Sequence, residues 1–268
     1  MAANPDALSG AWNFRDIAAA TGIRPGRFFR SSELSGLDDS GRAALLGFGI
    51  TDVADLRSAR EVERHGTGAL PAAVEVHHLH FHEVTAVDGE APHESAFQKM
   101  MAENQQREDP ESTAVAAKRF MTEEYLRFPT LSGAQRAVQQ VISLVVAGRP
   151  VITHCFAGED RTGFTVATIL DAIGVDRDAV LTDFLRSNEA VPRLREQILE
   201  SVRERTETDE EVTFAEARLT DAVLGVQPDY LDAARRSIDE NYGGLKNYLK
   251  TAGVTDDDLA QLRTALLS

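Results

Sequence analysis

The stretch Val151-Ile152-Thr153-His154-Cys155-Phe156-Ala157-Gly158-Glu159-Asp160-Arg161-Thr162-Gly163 decides how this chain is read. Its first three residues are β-branched, and Pro150 before them cannot continue a helix, so 151–154 reads as a short strand. From 159 onward the residues follow a helical pattern, and Gly174 closes the run, which predicts a helix over 159–173. Between strand and helix stand Cys155, five further residues and Arg161. Five residues let the backbone curl until successive N–H groups converge on one tetrahedral anion. The start of the helix aims its free N–H groups and the positive end of its dipole at the same point.

Both the dipole and the guanidinium favour a thiolate at this place, which makes Cys155 a candidate nucleophile. Arg161 offers a planar fork for two phosphoryl oxygens, a geometry lysine lacks. Phe156, Ala157, Gly158, Glu159, Thr162 and Gly163 complete the substrate-binding curl. Gly158 permits the tight turn, Thr162 offers a hydroxyl toward the sulfur, and His154 is placed to orient the loop from behind. A buried, inert cysteine in a strand-to-helix turn is the plainer alternative. The run His-Cys-x5-Arg-Thr-Gly is much more specific than a lone cysteine and favours function. Such a set suits phosphoryl transfer to sulfur without a metal or organic cofactor. The leaving oxygen needs a proton, and two carboxyls qualify as its donor: Asp160 beside Arg161, and Glu83 after the fourth strand. Spacing does not choose between them.

Working outward, the first half alternates apolar runs with helical patterns, an α/β architecture. Strands are predicted over 13–17, 27–30, 50–56 and 74–81. A helix is predicted over 39–48, and Ser58 with Glu61 makes a capping box for a short second one. Residues 84–111 are polar, acidic and weakly periodic, and read as a loop. Beyond them the pattern is almost wholly helical: 112–128, 133–147, then 177–187, 191–205, 213–224, 229–242 and 255–267. Pro228 suits a first helical turn and Thr255 an N-cap. No repeat or long linker interrupts 1–268, so a single domain is expected.

The 268 residues carry 43 acidic against 28 basic side chains, a formal net charge of −15. That balance gives no electrostatic case for nucleic acid or an anionic membrane surface as partner. One cysteine allows no internal disulfide, which fits a reducing compartment or a free functional thiol. No stretch is apolar enough to span a bilayer, and no signal-peptide pattern opens the chain. The expectation is residence in the cytoplasm, or export without a recognisable signal.

The loop His154–Gly163 resembles that of the protein tyrosine phosphatase superfamily. The flanks narrow the likeness to a bacterial branch: Ala11-Trp-Asn-Phe-Arg-Asp16, Arg24-Pro-Gly-Arg27, Phe29-Arg-Ser-Ser-Glu-Leu34, Thr51-Asp-Val-Ala-Asp-Leu-Arg57, Asp183-Phe-Leu-Arg-Ser-Asn188 and Val223-Leu-Gly225. The likeness runs along nearly the whole chain. It implies a mainly parallel sheet flanked by helices, a helical C-terminal half, and a helical lid near 190–225. It implies activity on phosphotyrosine in phosphoproteins or phosphopeptides, extending to phosphoserine, phosphothreonine and phosphoinositides. A member of this branch is exported and acts on host targets, which implies a secreted effector. One departure matters: that member's loop carries lysine where this chain has Glu159. An added carboxylate roughly 8 Å from a phosphate costs on the order of 1–2 kcal/mol at an intermediate dielectric. Highly charged substrates such as phosphoinositides should suffer most.

Two other groups invite a reading. In a strand, His78, His80 and His82 share one face, but the outer pair is separated by roughly 13 Å, so at most two reach one zinc. No metal is expected. Asn13, Arg15, Asp16, Arg57 and Glu61 either form a polar support around the loop or, for Arg57 and Glu61, a surface ion pair of little worth. Two rival functions remain at this point: a non-catalytic phosphate-binding module, and a sulfur-transfer enzyme with a persulfide in the same cradle. Arg161-Thr-Gly after five intervening residues favours the phosphatase.

Overall fold

The computed structural model describes residues 8–82, 110–206 and 208–267. Five strands make its sheet: β1 (Arg15–Asp16), β2 (Phe28–Ser31), β3 (Asp52–Asp55), β4 (Glu75–His78) and β5 (Val151–His154). Their spatial order is β1-β2-β5-β3-β4. β1 pairs antiparallel with β2, and the remaining pairs are parallel. Period-two alternation sorts the side chains into two layers. Phe28, Ala54 and Val151 face the larger core, while Phe29, Val53 and Ile152 face the smaller one.

The smaller layer is closed by α2 (Asp39–Gly47), whose Leu45 packs with Phe14, Phe29 and Val53. The larger is built by α5 (Ser132–Val146) and α6 (Asp160–Ile173), which lie against β5, with α11 (Pro228–Tyr242) and α13 (Asp256–Leu267) outside them. Twelve of the fourteen residues of α6 are buried. That fits a helix enclosed on all sides rather than an amphipathic surface element. The other helices are α1 (Ala18–Thr21), α3 (Ala59–His65), α4 (Pro110–Arg127), α7 (Arg177–Leu185), α8 (Val191–Arg205), α9 (Asp209–Arg218), α10 (Asp221–Leu224) and α12 (Leu245–Thr251).

The parallel-sheet α/β expectation is met, and the differences are local. The strand expected over 13–17 pairs over two residues, because Asn13 turns to a positive φ of 56° ahead of it. The strand expected over 74–81 stops at His78. The helix expected over 213–224 is two helices: Leu219 and Thr220 leave helical geometry, so α9 ends at Arg218 and α10 restarts at Asp221; α9 also begins before the expected start, at Asp209. Asp209, Glu210 and Glu211 fill the first turn of α9, where carboxylates suit the helix dipole. α12 was not anticipated; Gly243 and Gly244, both at positive φ, hide a restart in what reads as a helix end. The loop expected over 84–111 lies almost wholly outside the described residues.

Candidate active site

Cys155 follows β5 at the carboxyl end of the parallel strands, where such sheets place their ligand crevice. His154 is in register with Ser31 of β2 on one side and Asp55 of β3 on the other. The backbone then curls into α6. Every carbonyl of the curl from 155 to 159 is tied to a donor. His154 Nδ1 donates to the Cys155 carbonyl (3.0 Å), and the Glu33 N–H to that of Phe156 (2.9 Å). Asn13 Nδ2 donates to the carbonyls of Ala157 (3.0 Å) and Gly158 (3.1 Å). One terminal nitrogen of Arg30 donates to the carbonyls of Gly158 (2.7 Å) and Glu159 (3.3 Å). In a planar trans peptide the C=O and the following N–H point oppositely. Carbonyls anchored to the surrounding frame therefore turn the N–H groups of residues 156–160 into the curl, an anion cradle.

Two glycines are required. Gly158 holds φ at 71°, and a Cβ on it would stand 2.0 Å from the Ser31 carbonyl oxygen. A Cβ on Gly163 would meet the Phe184 ring at 2.7 Å, so only glycine lets α6 and α7 approach this closely.

Arg161 is buried and held bidentate by Glu61, at 2.7 and 2.8 Å. Glu61 is fixed in turn as the third residue of the Ser58 capping box, taking the Ser58 N–H at 2.8 Å. Burial alone would raise the Glu61 carboxyl; Arg161 and Ser58 overcome it and hold Glu61 far below the ordinary carboxylate range. Burial likewise opposes the Arg161 charge, and Glu61 more than offsets it. Burial pushes His154 below its ordinary value, so its ring is neutral at pH 7 and acts as the Nδ1–H donor described above.

Of the two arrangements the sequence left open for these residues, the polar support forms, with one exception. Asn13, Arg15, Arg57 and Glu61 are all buried around the loop. Arg57 joins Asp55 to Glu33, the residue whose N–H holds Phe156. Asp16 instead accepts from the N–H groups of Ala18 and Gly26 and shapes the turn between β1 and β2. Sequence reasoning gave no role to Arg30, Asp183, Ser187 or Tyr125. A guanidinium in the middle of an apolar strand, Phe28-Phe29-Arg30-Ser31, was the available signal, since a buried charge must be paired.

Asp160 opens α6, and its Oδ1 accepts from Tyr125 Oη at 3.0 Å. Tyr125 comes from α4 and is wholly buried. Glu159 is half-buried; burial raises its carboxyl well above the ordinary range, and the charges of Asp160 and Cys155 add to the rise. Glu83 lies outside the described residues. The Thr162 hydroxyl is buried and makes no hydrogen bond among the described residues, so the anticipated contact with the sulfur is not formed. Above the curl, Ala157 packs with Val191, Leu194 and Leu199 of α8 and with Leu219, Val223 and Leu224, while Phe156, Trp12 and Ile198 line its margin.

The histidines do not converge. His77 Nε2 meets Asp52 at 2.7 Å, His80 Nδ1 donates to the Arg57 carbonyl at 2.7 Å, and His78 and His82 face Asp55 and Glu124. Among the described residues, the group whose donors approach one another closely enough for a cation is Asp52, Glu75 and His77. Arg149 already lies on both carboxylates at 2.7 Å and supplies the positive charge there.

A thiol at the floor of an anion cradle, beside a fixed guanidinium, is the apparatus of a cysteine-dependent phosphomonoesterase. Sequence comparison agrees: the family model described as "Tyrosine phosphatase family" matches residues 7–268, and the chain belongs to that family. It is 53% identical to the triple specificity protein phosphatase PtpB of Mycobacterium tuberculosis, with 97% of this chain and 98% of that one covered. A Cupriavidus necator protein is 28% identical, with 96% and 85% covered. A tyrosine-protein phosphatase of Nostoc commune is 24% identical, with 98% and 81% covered. The activity is accordingly that of a protein-tyrosine phosphatase. No helix among the described residues is long and apolar enough to cross a membrane.

Proposed function

We propose that the chain hydrolyses phosphotyrosine in two steps through a phosphocysteine. The Cys155 thiolate attacks phosphorus; the S–P bond forms as the ester P–O bond breaks, and the leaving oxygen takes a proton from Asp160. Water then attacks phosphorus, the S–P bond breaks, and the water's proton returns to Asp160. Arg161 and the inward N–H groups carry the charge on the transferring group. The observation that supports this most is the set of outward-tied carbonyls from 155 to 159, closed by Arg161 on Glu61. Asp160 is preferred to Glu83 as the acid because it stands in the loop beside Arg161 and Tyr125 Oη fixes its carboxyl by donating to Oδ1. Residues 1–268 act as one catalytic domain, with the helices over 191–224 as its lid.

The test is phosphate release from a phosphotyrosine peptide in chelator, wild type against Cys155→Ser. Turnover that vanishes in the variant supports the cysteine route. No release by wild type under reducing conditions across pH 5–8 leaves a phosphate-binding module instead. Phosphoserine and phosphothreonine fall within the range on the pattern of the triple specificity relative. Glu159 disfavours phosphoinositides to the extent that it is ionised, and burial holds it toward its neutral form. As pH rises and Glu159 ionises, a multiply phosphorylated inositol headgroup should lose affinity faster than a phosphotyrosine peptide, and Glu159→Gln should remove that difference. Equal effects on both would remove Glu159 as the discriminator. Cell fractionation decides between cytoplasmic and exported residence.

A further inference from the structure

Arg30 has no exposed surface and lies in β2, between the loop and the sheet. A buried guanidinium is costly unless its fork is used, and this one is used unevenly. One terminal nitrogen donates to Asp183 Oδ2 at 2.7 Å. The other donates to the Gly158 carbonyl at 2.7 Å, to Ser187 Oγ at 3.2 Å and to the Glu159 carbonyl at 3.3 Å. Asp183 is shared, because Arg15 Nε also lies 2.7 Å from it, and Arg15 reaches Ser187 as well. Two guanidiniums thus divide one carboxylate; Glu159, a further carboxyl in electrostatic reach of Arg30, is held toward its neutral form by burial, so the group keeps an excess of positive charge. Here the excess is directed onto two carbonyls of the phosphate loop.

We propose that Arg30 is a positioning residue for the tyrosine phosphatase reaction. Its fork locks the Gly158 and Glu159 peptides so that the N–H groups of Glu159 and Asp160 face the phosphate, and its unbalanced charge supports the dianion from behind the loop. It touches no substrate atom. Asp183 and Ser187 hold the fork in plane, with Arg15 as the second brace. Asn13, linked to Arg15, holds the neighbouring carbonyls of Ala157 and Gly158. The inference rests on reading the Cys155–Arg161 loop as the phosphate site.

The experiment compares wild type, Arg30→Lys and Arg30→Gln by the inhibition constants of inorganic phosphate and orthovanadate. Alongside these, kcat per titrated active site on a phosphotyrosine peptide and Tm are measured. Lysine keeps a charge but cannot bridge Asp183 and two carbonyls, so both inhibition constants should rise about tenfold and kcat should fall by a similar factor. Glutamine loses the charge too, and a loss of about a hundredfold is expected in each. Inhibition constants and titrated rates refer to folded protein. A residue that only held the fold would lower Tm and yield while leaving them at wild-type values. Wild-type constants in folded Arg30→Lys overturn the inference, and that variant decides alone if Arg30→Gln does not fold. If wild type turns over by Cys155 and the Arg30 variants match it, only this inference falls. If wild type binds no phosphate, the reading of the loop falls first.

Discussion

Tyr125 and Asp160 show how much a single carboxyl depends on its surroundings. Tyr125 Oη donates to Asp160 Oδ1, so the side chain at the start of α6 is held from the core side. If Asp160 protonates the leaving oxygen, Asp160→Asn should cut kcat/KM, which reports only the steps up to departure of the leaving group, by about 10²–10³ on a phosphotyrosine peptide. The loss should be far smaller for an aryl phosphate whose leaving group is acidic enough to depart unprotonated. Equal losses on the two substrates would exclude the role. Glu61 makes a second prediction, through linkage. Its carboxyl is held far below the unfolded value by Arg161, against burial. Its contribution to stability is therefore complete above the unfolded carboxyl pKa of about 4.3 and is lost as pH falls below it. Thermal melts from pH 6 to 3 should show Tm falling for wild type and falling less for Glu61→Gln; parallel curves would refute the linkage. Cys155 and Arg161 were legible in the sequence because their relation is a covalent spacing. Arg30 and Tyr125 were not, because their partners are 153 and 35 residues away and only the fold brings them together.

At the scale of elements, α3 matters more than its seven residues suggest. Its capping box is readable from Ser58 and Glu61 alone, but the sequence does not show that the box carboxylate also holds Arg161, the proposed phosphate clamp. The Ser58 hydroxyl donates to Glu61 Oε2 at 2.8 Å, the same oxygen that meets Arg161. Ser58→Ala should therefore do two things. Loss of the cap should cost about 1 kcal/mol of stability. Loosening of Glu61 should also lower kcat/KM several-fold through the clamp, at a temperature well below Tm. A change in Tm with unaltered kcat/KM would show that the cap and the clamp are independent. The strands and most helices were legible because apolar periodicity and proline or glycine punctuation are local signals. The break between α9 and α10 was not, since Leu219 keeps helical spacing in the sequence while its side chain is drawn into the cluster over Ala157. Packing against the loop, a tertiary effect, overrides the local pattern there.

For the whole molecule, the net charge of −15 and the cationic floor of one crevice act at different ranges. In the proposed mechanism Arg161 and the loop N–H groups meet the phosphoryl group in contact, where salt screens little. The surface carboxylates act over distances beyond the Debye length, about 8 Å at physiological ionic strength, and there salt screens strongly. A phosphopeptide flanked by acidic residues approaches against the long-range field and is then bound by the short-range one. Raising salt from about 20 to about 300 mM should increase its kcat/KM several-fold, chiefly through encounter, with kcat little changed. A lysine-flanked phosphopeptide should show the opposite slope. If both peptides lose activity alike as salt rises, the crevice cations govern approach as well as binding, and the net charge has no part in substrate choice. Opposite slopes would make surface acidity a selector acting before the loop is reached, favouring phosphotyrosines in basic surroundings.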